Sequence, residues 1–90
     1  MNDNEAKVNV TFSGANGDLL EPVPFSATDA EIKSWVTEAV TNGSVPGIPA
    51  TSTADFSDFV IDRFAATEIR PNLLILRPKT PFGQVFEIIR

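Results

Sequence analysis

Cysteine is absent from these 90 residues, and so is histidine. Without cysteine there is no disulfide, no thiolate nucleophile and no thiolate metal site. Without histidine the chain loses the side chain that titrates near neutrality and the commonest transition-metal ligand. Tyrosine is missing too, and only one methionine and one tryptophan occur. A hydrolase triad in its usual forms therefore cannot be assembled, and no cofactor or metal is expected. No apolar run approaches the roughly 20 residues that a membrane span requires. The first residues, Met1-Asn2-Asp3-Asn4-Glu5, are polar and acidic, opposite in character to a secretory leader. A cytoplasmic location without membrane attachment is the expectation.

Ninety residues suit one domain with one modest core, and seven Phe with Trp35 are expected to supply its bulk. Seven basic against twelve acidic side chains leave a net charge of −5, which disfavours a role resting on nucleic-acid phosphates. The charge is divided unevenly. Residues 1–62 hold Lys7 and Lys33 against ten acidic groups, whereas residues 63–90 hold Arg63, Arg70, Arg77, Lys79 and Arg90 against Glu68 and Glu87. Either the two parts neutralise one another in the fold, the reading we favour, or the basic part forms a face for an acidic partner.

The local patterns are clearest between Thr28 and Gly43. Thr28 and Glu31 have capping-box spacing. Ile32, Trp35, Val36, Ala39 and Val40 form one apolar stripe of helical period, and Asn42-Gly43 supplies a stop. Trp35 is read as core, with Lys33 and Glu38 facing water. Before this helix, Lys7 to Phe12 alternates as a strand does, and Asn16-Gly17 suits a hairpin turn. The chain would return through Leu19 to Phe25, where Pro22 and Pro24 confine the strand to a sheet border. After the helix, Val45 and Ile48 punctuate a loop and are suited to pack down onto the core. Asp55 to Asp58 then suit a single turn, and Phe59 to Phe64 a third strand. A second helix over Asp55 to Phe64 is the alternative, since Phe56, Phe59, Val60 and Phe64 would also make a stripe; the β-branched Val60 and Ile61 favour the strand. Leu73 to Arg77 is an unbroken apolar run, as in a central strand.

The order is β-β-α-β-β in an α+β domain. A right-handed crossover places the last strand parallel beside the first and gives the spatial order 2-1-4-3, the β-grasp arrangement. Residues 1–6 form a polar arm, 7–78 the core and 79–90 an extension. Two stretches carry a family resemblance. Phe56-Ser57-Asp58-Phe59-Val60-Ile61 resembles the short turn of ubiquitin-like proteins, and Leu73-Leu74-Ile75-Leu76-Arg77 resembles their last strand. Members that become conjugated end in Gly-Gly, whereas this chain ends Phe86-Glu87-Ile88-Ile89-Arg90. The resemblance thus implies not a covalent modifier or sulfur carrier but a non-catalytic domain that docks through its sheet.

One helix covers one sheet face, so Leu74 and Leu76 are assigned to the core and Leu73 and Ile75 to the opposite face. The residues expected to bind protein are Leu73, Ile75, Arg77, Phe86, Ile88, Ile89 and Arg90. The extension either folds back over its own domain or joins another chain, including a homodimer through the C-terminal segment. The leading expectation is a non-catalytic interaction module or adaptor subunit. The alternative is a small self-associating accessory or assembly protein of a phage or mobile element. A carboxylate-dependent enzyme using Asp55, Asp58 or Asp62 is a remote third. Calcium loops need more oxygen ligands than these three offer, and a solvated face suits them better.

Overall fold

Period-two and period-3.6 patterning are separated along this chain by strong local stops, and the computed structural model follows them across the residues it describes, 4–79. The strands are β1 (Glu5–Phe12), β2 (Ala15–Asp18), β3 (Val23–Pro24), β4 (Val60–Phe64) and β5 (Asn72–Arg77), with α1 (Asp29–Thr41) between β3 and β4. The fold is α+β, with one helix and a mixed sheet of five strands in the order β2-β1-β5-β4, β3 also pairing with β1. β1 and β5 run parallel, Ala6 opposite Asn72 and Val10 opposite Leu76. The other pairings are antiparallel.

The helix is stopped at both ends as its sequence dictates. Thr28 Oγ1 accepts the Glu31 amide at 3.1 Å, and Glu31 Oε1 accepts the Thr28 amide at 2.9 Å. At the other end Gly43 takes φ 73°. Its amide donates to Val40 O, and the Ser44 amide donates to Ala39 O at 2.8 Å, the paired closure that satisfies orphan helix carbonyls. Ile32, Val36 and Val40 are fully buried, one residue per turn. They meet Ala6, Val8 and Val10 of β1 and Leu74 and Leu76 of β5, while Val45 and Ile48 from the loop close the core at its edge.

Four expectations are corrected. The hairpin reverses at Ser13-Gly14, with φ 53° and 82°, not at Asn16-Gly17. Two consecutive positive φ values suit a tight β-hairpin. Gly17 is needed elsewhere: a Cβ there would lie 2.1 Å from Pro46 O, so β2 and the post-helix loop touch backbone to backbone. The border strand from Leu19 to Phe25 is replaced by two short pieces, β2 and β3, because Glu21-Pro22 leaves the ladder between them. Trp35 is 36% exposed, not core, since it flanks the narrow buried line of Ile32, Val36 and Val40. Finally, the core is chiefly aliphatic. Phe56 is the one Phe among the described residues that is buried in it; Phe12 and Phe59 stack against Phe56 at 5.1 and 4.7 Å, and Phe64 is 40% exposed.

The expected strand forms in place of the alternative second helix, with β4 running from Val60 to Phe64 and Phe59 just outside it. Its Arg63 crosses to the segment that leads into the helix. The guanidinium donates to Phe25 O at 3.0 Å and Ala27 O at 2.9 Å, and pairs with Asp29 Oδ1 at 2.6 Å. This side chain ties the border of the sheet to the first turn of α1.

Candidate functional site

Strand alternation sends Leu74 and Leu76 into the core and turns Leu73, Ile75 and Arg77 to the face that α1 does not cover. Register decides their neighbours. Lys7 of β1 and Phe64 of β4 flank Leu73, Asn9 and Asp62 flank Ile75, and Val60 stands opposite Arg77. Leu73, Ile75 and Val60 are half-buried and Phe64 is 40% exposed, giving a short apolar stripe with polar side chains on either side.

Polar side chains frame the stripe on both sides. Asn9 Nδ2 donates to Asp18 Oδ1 at 2.8 Å and to Asn16 Oδ1 at 3.0 Å. Asn16 Nδ2 returns bonds to Asn9 Oδ1 and Thr11 Oγ1, both at 2.9 Å. Lys7 Nζ lies 3.2 Å from Asp18 Oδ2. The Asn9 bond, aided by Lys7, holds the Asp18 carboxyl below its ordinary pKa despite some desolvation. Across the stripe, Arg77 Nε donates to Asp62 Oδ2 at 2.6 Å, which raises the arginine pKa further and keeps its charge constant. Arg70 sits over the Phe64 ring, 5.9 Å from its centroid. Lys7, Asn9, Asp18, Arg70, Leu73 and Ile75 line a shallow cleft of about 400 Å³ here.

The start of β5 is fixed by Asn72, buried on the core side. Its Nδ2 donates to Glu5 O at 3.0 Å, and its Oδ1 accepts the Ala66 amide at 2.7 Å. The strand expected over Leu73 to Arg77 leaves Asn72 out, and sequence reasoning missed this role because Pro71-Asn72 reads locally as turn chemistry.

Of the residues expected to bind protein, Leu73, Ile75 and Arg77 share the open face. Phe86, Ile88, Ile89 and Arg90 lie outside the described residues. The three aspartates are not gathered. Asp55 accepts the Ser57 amide in a local turn at 2.9 Å, which lowers its pKa. Asp58 is exposed, and Asp62 is engaged with Arg77. Among the described residues no group of three or more carboxylates is placed to hold a metal ion. No helix among them is long and apolar enough to cross a membrane. Compared with known proteins, the chain matches no family model, no curated protein and no solved structure.

Proposed function

We propose that this chain is a β-grasp domain of ubiquitin-like type that serves as a non-catalytic protein-binding module or adaptor subunit. Its partner docks on Leu73, Ile75 and Arg77 of the open sheet face, with Phe86, Ile88, Ile89 and Arg90 completing the contact. The fold reading is supported by a single helix between two groups of strands, a layout compatible with β-β-α-β-β once the two-residue β3 is set aside, and by the parallel pairing of β1 and β5 at the sheet centre. The observation that carries the binding reading is the half-buried apolar stripe set between two ion pairs. An apolar centre with a polar rim is the anatomy of a docking patch. Burying a Leu or Ile side chain contributes about 1.5–3 kcal/mol, enough for two such anchors to dominate a small interface.

The test is site-specific photocrosslinking in the native host. A crosslinking side chain at position 73 or 75 is expected to give a discrete adduct that Arg77→Glu abolishes. A control at the exposed Ser34 of α1 should give none. Adducts no stronger at 73 and 75 than at 34 refute the proposal.

Self-association is the second reading, and one observation favours it. β4 pairs with β5 along one side and with no other strand among the described residues, so its outer ladder groups are open to a second copy. Molar mass by light scattering over a wide concentration range decides it. A strict monomer removes this reading and leaves the first intact.

A further inference from the structure

A second surface lies on the opposite border of the molecule, where α1 meets the chain between β2 and β3. Leu19, Leu20, Pro22, Trp35 and Ala39 line a groove of about 440 Å³ there, with Glu21 on its rim. Leu20 is 72% exposed and Trp35 36%, so the groove is lined by two large apolar side chains that the fold leaves partly open to solvent. Pro22 and Pro24 have no amide hydrogen, so this border offers few donors to an added strand.

The charges around the groove are of one sign. Glu21 is the charged residue among its lining, and Glu38 stands one turn beyond Trp35 on the helix surface. Neither makes an ion pair among the described residues. Five cations are engaged elsewhere: Lys7 with Asp18, Arg63 with Asp29, Arg77 with Asp62, Lys33 with Ser57 O and Arg70 with the Phe64 ring. Among the described residues no basic side chain lines the groove.

We infer that the Trp35 groove binds a cationic peptide segment of a partner protein, one carrying arginine next to an aliphatic residue. The aliphatic side chain fills the space between Leu20 and Pro22. The guanidinium stacks on the Trp35 ring, whose electron-rich face attracts a cation, and its remaining donors face Glu21 and Glu38. An ammonium of lysine satisfies the charge but not the flat stacking, so arginine is preferred. This site is separate from the open sheet face and does not depend on it.

Trp35 is the chain's one tryptophan and there is no tyrosine, so its emission reports the groove directly. The probe is a short peptide of alternating arginine and leucine, added to the full chain, with the glutamate-leucine and lysine-leucine peptides in parallel. The arginine peptide is expected to give a saturable emission change whose Kd rises severalfold with added salt. The lysine peptide should bind more weakly and the glutamate peptide not at all. Glu21→Gln and Glu38→Gln should each weaken arginine-peptide binding about two- to fivefold. Ile75→Asp, on the other face, should leave the titration unchanged. The inference fails if the arginine peptide gives no saturable change, or if the glutamate peptide matches it. It fails equally if emission shifts with protein concentration alone, which would mean that a second copy fills the groove.

Discussion

Gly17→Ala is the sharpest perturbation available, because it adds one methyl where two backbones meet. The new Cβ would lie 2.1 Å from Pro46 O and 3.0 Å from Val45 Cγ1. Neither neighbour can give easily. Pro46 O belongs to main chain, and Val45 is buried against the core at 1% exposure. The contact is reciprocal, since a Cβ on Gly47 would lie 2.4 Å from Asn16 O. Relief therefore requires moving either β2 or the loop that seats Val45 and Ile48. Overpacking a tight site costs about 1–3 kcal/mol, and a rigid backbone obstacle puts Gly17→Ala near the top, at about 3 kcal/mol. For a domain of this size that corresponds to a loss of roughly 12–24 °C in Tm. Gly14→Ala is the control: its φ is 82° but nothing lies within 4 Å of its Cβ, so left-handed strain of about 1 kcal/mol is the whole cost. Urea unfolding followed by Trp35 emission measures both. A Gly17→Ala loss no larger than that of Gly14→Ala would refute the close approach of β2 to the loop.

Three further outcomes follow from the same geometry. Thr28→Ala removes the side-chain acceptor of the capping box and should cost about 1 kcal/mol by urea unfolding; a change under a few tenths would refute the cap. Asn72→Ala leaves the Ala66 amide and Glu5 carbonyl without their bonds, costing about 1–3 kcal/mol, and should speed hydrogen exchange at Ala66. Asp18 titrates below its ordinary value in the folded chain, so the folded state binds its proton less readily than the unfolded one. Its stabilisation, at most about 1 kcal/mol for so exposed a group, is complete above the unfolded value and fades as pH falls through the lowered folded one. The stability gap between the native chain and Asp18→Asn should therefore close on acidification below about pH 4; a gap that persists there contradicts the assignment.

The helix and its two ends could be read from the sequence because every partner lies within five residues: Thr28 with Glu31, Gly43 with Val40, Ser44 with Ala39. The alternation of Val8 and Val10, the strand character of Val60 and Ile61, and the central place of Leu73 to Arg77 were legible for the same reason. Side-chain period is a local property of the backbone. The candidate site was legible in part: period two separates Leu73 and Ile75 from Leu74 and Leu76. The polar setting of that stripe was not, since Lys7–Asp18, Asn9–Asn16 and Asp62–Arg77 are brought together only by strand register.

What the sequence alone determined is therefore the kind of α1, β1, β4 and β5 and, for most of their side chains, which face they turn to the core. Tertiary structure decided the rest. Asn16-Gly17 carries hairpin chemistry but lies in a strand, because Pro46 crosses Gly17 at a distance no side chain would permit. Trp35 belongs to the apolar stripe, yet it is left half open where the core ends beside Leu20. Asn72 is polar and buried, because Glu5, remote in the chain, and Ala66, six residues before it, each supply a hydrogen-bond partner. Each of these outcomes depends on an atom contributed from far along the chain, and local propensity holds no information about which atom that will be.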